Sequence, residues 1–159
     1  MDEAVILVGT ETGTAEDVAD HLAATLEELG IEPEVVDMEE AEPPLVDGSR
    51  AVVVCTATHG DGELPDNSWD FYERLGKEQP NLSCVLFCVC GLGDSVYADF
   101  CEAGRIWSRL LLRLGGTEVI ERHEIDGFPE EEDIEGACEW VERAVGRFEE
   151  VTGERGQHA

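Results

Sequence analysis

Threonine and glycine alternate in a short stretch near the start of the chain, Gly9-Thr10-Glu11-Thr12-Gly13-Thr14. An apolar run, residues 4–8, precedes it, and apolar residues at helical spacing follow over residues 18–29, which predicts a strand, a tight turn and a helix. The first N–H groups of a helix have no internal partner and favour an anion, and threonine hydroxyls can donate to the anion as well. We therefore interpret the turn as a phosphate-binding loop. The alternative is an ordinary turn, with Thr14 and Asp17 as a helix-capping box.

Other phosphate and nucleotide motifs are not matched. The turn contains no lysine, unlike a nucleoside-triphosphate loop, and Val96 stands where the Gly91-x-Gly93 pair would need a third glycine to bind a dinucleotide. The six cysteines include no C-x-x-C pair, so we predict no metal site and interpret them as buried, reduced thiols. Cys84, Cys88 and Cys90 share parity and are predicted to project from one face of a strand.

The composition is strongly acidic: 38 acidic and 10 basic residues give a net charge of −28 over 159 residues, with Lys77 as the single lysine. Nucleic acids and anionic membranes are therefore poor partners. Acids spread along the whole chain favour a halophilic origin, in a cytoplasm rich in salt. With no long apolar run or signal peptide, we expect a cytoplasmic protein with one domain, residues 1–151, and a frayed tail, residues 152–159.

Strands and helices are predicted to alternate along the chain. Further strands are expected at residues 34–37, 51–57, 84–90 and 117–122, and further helices at 68–77, around 106–114, and at 134–151. This alternation predicts an α/β fold, a parallel sheet with helices on both faces. Ligands bind such sheets beyond the carboxyl ends of the strands, where the strand order reverses. The loops rich in Gly, Thr and Asp after strands one, three and four should meet there.

These three loops together resemble the flavodoxin family. Residues 10–15 look like its phosphate loop, residues 56–62 like its first flavin-ring loop, and residues 90–97 like its second. The run T-H-G-D-G-E-L-P-D-N, with G-L-G-D-S-x-Y-x-x-F-C later, is most similar to MioC-type short flavodoxins. It is also similar to the FMN domains of cytochrome P450 reductase and sulfite reductase. The resemblance implies a flavodoxin-like, doubly wound sheet of five parallel strands in the order 2-1-3-4-5, in three layers.

The resemblance also implies FMN as the cofactor, bound without a covalent link. Its 5′-phosphate would lie against Thr10, Thr12, Gly13 and Thr14, Tyr97 would stack on one face of the ring, and His59 occupies the position on the other face. Asp126 matches an acid beside the ring. The full set of implied cofactor-binding residues is Thr10, Glu11, Thr12, Gly13, Thr14, Ala15, Thr56, Ala57, Thr58, His59, Gly60, Asp61, Gly62, Cys90, Gly91, Leu92, Gly93, Tyr97, Phe100 and Asp126.

The function that this resemblance implies is that of a monomeric one-electron carrier between a flavin- or iron–sulfur-containing reductase and acceptor enzymes. One alternative is a flavin-dependent quinone or disulfide reductase that uses the same pocket. Another is an accessory module that assists a partner enzyme, for example in biotin formation.

Overall fold

The computed structural model of the chain describes residues 2–60 and 62–157, the last four of these by their backbone. The strands are β1 (Glu3–Gly9), β2 (Glu32–Asp37), β3 (Ala51–Thr56), β4 (Leu86–Gly93), β5 (Thr117–Glu118) and β6 (His123–Asp126). The helices are α1 (Thr14–Glu28), α2 (Trp69–Glu78), α3 (Glu102–Arg113) and α4 (Glu131–Gln157). Two short 3-10 turns occupy Pro43–Leu45 and Asp66–Ser68. None of the helices in these residues is long and apolar enough to cross a membrane.

The strands form one parallel sheet in the order β2-β1-β3-β4-β5, with β6 also paired to β4. The predicted α/β fold and strand order are therefore confirmed. Since the chain goes from β1 outward to β2 and then returns to β3 on the other side, the order reverses beside β1. The ends of β1, β3 and β4 lie next to one another at this point.

Alternate residues of each central strand face opposite sides of the sheet, and both sides are covered by helices. On one side, Ile6, Val53 and Cys88 pack with the apolar faces of α1 and α4. On the other, Leu7 and Val54 belong to a second core with residues of α2 and α3. This double burial explains why β1 and β3 read as continuous apolar runs in the sequence.

The predicted fifth strand, residues 117–122, is a strand only over β5 at its start, and a strand that was not predicted, β6, follows it. Side chains of α4 bind the carbonyl groups between the two strands. Trp140 donates from its indole nitrogen to the Glu121 carbonyl at 2.9 Å, and Arg147 Nε donates to the Val119 carbonyl at 3.1 Å. Because these carbonyls are bound by side chains, the strand is interrupted there and pairing with β4 resumes at His123.

Three other sequence predictions are corrected. The fourth strand extends to Gly93 instead of ending at residue 90, because β6 pairs with its last residues. The same strand begins at Leu86, so Cys84 lies before it and is exposed. Cys138 on α4 is only partly buried, whereas the other four cysteines are buried as predicted: Cys55, Cys88, Cys90 and Cys101. The last helix spans 131–157 instead of 134–151, so helical backbone covers part of the tail that we expected to be frayed.

Candidate functional site

The turn between β1 and α1 is ordered by a hydrogen bond between its backbone and one of its own side chains. Gly13 precedes the first residue of α1 and has a positive φ of 87°, a conformation that glycine adopts without strain. Its N–H donates to Thr10 Oγ1 at 2.9 Å, which closes the turn. The Thr12 and Thr14 hydroxyl oxygens lie 3.2 Å apart, so two hydroxyl groups point to one place beside the helix N-terminus.

The capping box proposed as an alternative for this turn is not formed. Thr14 is the first residue of α1, Gly13 is the N-cap, and no side chain among the described residues caps this end of the helix. The Asp17 N–H binds the Gly13 carbonyl at 3.1 Å, so the first intrahelical bond starts from a residue that has no side chain. The first N–H groups of α1 remain for a ligand. This uncapped terminus, with two hydroxyls beside it, has the donor set that suits a phosphate ester.

Asn67, which the sequence analysis did not select, fixes the turn to the rest of the fold. Its carboxamide oxygen accepts from the Thr10 N–H at 2.9 Å, and its Nδ2 donates to the Val8 carbonyl at 3.2 Å and to Asp37 at 2.8 Å. One side chain therefore joins the end of β1, the end of β2 and the loop after β3. Its place, directly after the Gly- and Pro-rich loop, is the one signal in the sequence that could have indicated it.

A cleft of about 270 Å³ opens at the carboxyl ends of the strands, where the strand order reverses. Its volume lies just below the usual range of ligand pockets, ~300–1,000 Å³. Eight predicted residues line it: Thr12, Thr14, Ala57, Thr58, Gly60, Leu92, Gly93 and Tyr97. Four lining residues were missed: Asp94, Asp99, Gly127 and Phe128.

The first predicted ring loop packs against the segment that follows the second ring loop. A Cβ on Gly62 would lie 2.6 Å from Cβ of Asp99, so the absence of a side chain allows this contact. The Thr58 hydroxyl accepts from the Ala103 N–H at 3.2 Å, which ties the first ring loop to the start of α3. The first ring loop is therefore held by contacts with residues 99–103, distant from it in the sequence.

The wall of the cleft at Gly93 depends on the absence of a side chain. A Cβ there would lie 2.7 Å from the backbone nitrogen of Cys101 and 3.1 Å from its Sγ. Cys101 is buried behind this wall and lies within 3.6 Å of the Gly91 carbonyl. Burial raises the pKa of its thiol to about 12, so it is a neutral packing group at physiological pH.

Asp126 holds the second ring loop in place. Its carboxylate accepts from the Ser95 N–H at 2.8 Å and from the Ser95 hydroxyl at 2.6 Å. These hydrogen bonds lower the pKa of Asp126, since they favour its charged form. Two residues earlier, Glu124 pairs with Gly91, and next to Asp126 the Gly127 N–H donates to the Gly93 carbonyl at 2.7 Å.

His59 is not among the residues that line the cleft. Its Nδ1 lies 2.6 Å from a carboxylate oxygen of Glu11, and the other oxygen of Glu11 accepts from the Asp66 N–H at 3.2 Å. The His59 ring is thus turned to the phosphate-type turn, and Glu11 joins that turn to the first ring loop.

The other predicted residues occupy different surroundings. Four of them are buried and lie beneath the surface of the site: Ala15, Thr56, Cys90 and Gly91. Phe100 is partly buried after the second ring loop, and Asp61 lies outside the described residues. Thr10, Glu11 and Gly13 line a neighbouring hollow of about 470 Å³, together with Glu16, Asp37, Glu39, Asp66 and Asn67. The phosphate-type turn therefore has a strongly acidic rim on one side.

Comparisons with known proteins agree with this geometry. The family model described as Flavodoxin matches residues 6–140. The flavoprotein alpha-component of an NADPH sulfite reductase from Bacillus subtilis (strain 168) is 33% identical over 152 residues, which is 95% of this chain and 24% of that protein. The chain thus spans about a quarter of the length of the curated relatives it matches.

Solved structures of flavodoxins are also similar. Oxidised flavodoxin 1 from Bacillus cereus has a TM-score of 0.84 and 28% identity over 91% of this chain and 98% of that chain. A flavodoxin from Streptococcus pneumoniae TIGR4 has a TM-score of 0.82 and 33% identity over 91% of this chain and 99% of that chain.

Proposed function

The chain belongs to the flavodoxin family, and from this we propose that it passes single electrons from a reductase to acceptor proteins. Its cofactor is FMN, and it is an electron carrier of the flavodoxin type. FMN supplies the redox chemistry when bound, and the protein binds it, orients it and limits its contact with water. The observation that carries the proposal is the cleft at the strand-order reversal, which combines an uncapped helix N-terminus with an aromatic wall.

We assign the phosphate end of FMN to the turn at the start of α1. The Thr12 and Thr14 hydroxyls line the cleft and converge, and the Thr10 hydroxyl already accepts the Gly13 N–H, so that it can still donate its own proton. The backbone N–H groups of Glu11, Thr12, Thr14 and Ala15 complete the donor set without any cationic side chain. In this assignment Glu11 and Ala15 contribute through the backbone alone.

We assign the ring to the space between the two ring loops. Tyr97 lines the cleft and is half exposed, which suits an aromatic platform with one face available. Ala57, Thr58 and Gly60 form one wall and Leu92 and Gly93 the other, and Asp126 holds the second loop through Ser95. His59 contributes here through Glu11, by holding the first ring loop to the phosphate-binding turn.

The partners in our proposal are proteins that deliver or accept electrons at the exposed edge of the cleft. The similarity to a sulfite reductase flavoprotein supports a reductase of that general kind as the donor, although the chain matches only about a quarter of that protein. We also propose a monomeric carrier in a cytoplasmic, reducing compartment, an assignment supported by six cysteines that are free thiols.

The experiment is to purify the protein, release its cofactor with acid and identify the released flavin. FMN at one equivalent, with reversible one-electron reduction under anaerobic conditions, is expected. Catalytic turnover of NADPH by this chain alone would instead favour a reductase that uses the same cleft. A colourless protein that fails to bind added FMN would refute the electron-carrier function.

A further inference from the structure

Phe128 is far more exposed than a large aromatic side chain usually is in a protein without a bound ligand. It is 81% exposed, and only Val96, at 86%, exceeds it among the large apolar side chains that the structure describes as exposed. Both residues flank the cleft in the sequence, but only Phe128 lines it. A phenyl ring that lines a cleft offers a flat apolar surface on which a bound ligand can pack.

The backbone places Phe128 firmly although its side chain is free. The residue before it, Gly127, donates its N–H to the Gly93 carbonyl at 2.7 Å, and Asp126 binds Ser95 through two hydrogen bonds. Ser95 and Asp126 each stand two residues before an aromatic residue that lines the cleft, Tyr97 and Phe128. The two aromatic residues are therefore carried by two segments that are fixed to each other.

Phe128 also stands beside the end of the cleft that binds phosphate in our assignment. It lines the cleft together with Thr14 and lines, again with Thr14, a second hollow toward α1 and α4. Its ring thus lies between the start of α1 and the second ring loop. In our assignment, the flavin ring and its sugar-alcohol chain span the space between these two segments.

The wall formed by the first ring loop lacks a comparable aromatic contact, because the His59 ring is held by Glu11 at 2.6 Å. Among the described residues that line the cleft, Tyr97 and Phe128 are the aromatic ones. We propose that Phe128 is a cofactor-binding residue, which packs against the flavin and its chain in bound FMN and covers them from water. This inference rests on the proposed function, since it requires FMN in the cleft.

The test compares Phe128→Ala, Phe128→Tyr and Leu112→Ala with the wild type. Dissociation constants of FMN and riboflavin are measured by fluorescence titration, and circular dichroism verifies the fold. Phe128→Ala should bind both ligands at least about fivefold more weakly than the wild type, because an aromatic contact and its buried area are lost. Phe128→Tyr, which keeps the ring, should stay within about twofold of the wild type. Leu112→Ala is the control, because Leu112 is an exposed apolar residue on α3 outside the cleft lining, and this variant should bind normally.

Each outcome has a distinct meaning. A wild type that binds no FMN contradicts the proposed function itself. A wild type that binds FMN, with Phe128→Ala unchanged in affinity for both ligands, overturns the assignment of Phe128. If that variant also exchanges electrons more slowly with a reductase, the residue contacts partner proteins instead. An equal loss in Leu112→Ala would show a general effect of exposed apolar side chains and would also overturn the assignment.

Discussion

Two depressions of the surface differ sharply in size and in chemistry. The cleft at the strand ends has about 270 Å³, and a groove of about 690 Å³ lies between the interrupted β5–β6 edge and α4. The groove is the larger, but its side chains are already paired: Arg143 lies 3.4 Å from Glu121, and Arg147 lies 2.6 Å from Glu150. The cleft presents glycines, threonines and aromatic residues beside an uncapped helix.

The difference shows that available donors, and not volume, distinguish a binding site in this molecule. Exposed ion pairs such as those of the groove contribute little to stability, and they leave few groups for a ligand. A helix N-terminus without a capping side chain keeps its N–H groups available at no further cost. Substitutions in the cleft and in the groove should therefore have different consequences.

The largest difference is expected between two glycine substitutions. In Gly93→Ala, the new methyl group would lie 2.7 Å from the Cys101 backbone nitrogen, so the cleft wall must shift at a cost of ~1–3 kcal/mol in unfolding free energy. The affinity of Gly93→Ala for FMN should also fall, because the wall of the cleft has shifted. Gly146 lies on the groove wall in α4, and a Cβ there would meet no heavy atom within 4 Å apart from its own stretch of helix backbone. Gly146→Ala should therefore raise the unfolding free energy by ~0.5–1 kcal/mol through better helix propensity.

Urea unfolding with and without FMN measures both effects. Equal stability of the two variants, with normal FMN binding in Gly93→Ala, would mean that the cleft wall tolerates a methyl group.

The second prediction concerns a single hydroxyl. Thr12→Val removes a donor to a buried anion, which typically costs ~1.5–3 kcal/mol, so FMN should bind about tenfold more weakly or worse. Riboflavin, which has no phosphate, should bind as before. In the groove, Arg147→Gln should leave the affinity for both ligands unchanged. Equal losses of FMN and riboflavin in Thr12→Val would mean that this residue supports the fold and not the phosphate.

The third prediction follows from the acidic rim beside the phosphate-binding turn. Glu11, Glu16 and Asp37 repel a phosphate dianion at long range, whereas hydroxyls and N–H groups attract it at contact. Raising KCl shortens the Debye length from ~10 Å at 0.1 M to ~3 Å at 1 M and screens the repulsion first. FMN affinity should therefore rise severalfold from 0.1 to about 3 M KCl, and riboflavin affinity should change much less.

Titrations at each salt concentration, with circular dichroism to verify the fold, measure this effect. A flat or falling FMN affinity in a folded protein would contradict the repulsion argument.

The smallest effect concerns Asp126. Its pKa is lowered in the folded protein, so its contact with Ser95 stabilises the loop above the ordinary aspartate range and is lost only as the pH falls through the lowered pKa. Asp126→Asn should weaken FMN binding a few-fold, because one of the two acceptor oxygens becomes a donor. The ratio of the FMN dissociation constants of variant and wild type, measured by titration, should stay constant from pH 7 to pH 5. A ratio that falls to one within this interval would assign the effect to another group.

Local sequence determined most of the elements. The apolar runs of β1 and β3 could only be strands covered on both faces, and Gly30, with a φ of 82°, ends α1 where predicted, with the Ile31 N–H bonded to the Leu26 carbonyl at 2.9 Å. The order of the loops along the chain also sufficed to place the site at the sheet edge. Eight of its lining residues were predicted because the three loops resemble those of the flavodoxin family.

Only the tertiary structure decided the remaining features, because each depends on contacts between segments distant in the sequence. The orientation of His59 follows from Glu11, 48 positions earlier, and the interruption after β5 follows from Trp140 and Arg147 in the last helix. Phe128 joins the cleft because Gly127 binds Gly93 across 34 positions. Local propensity contains no term for such contacts, and the loops of the site, whose backbone has no regular pattern, depend on them most.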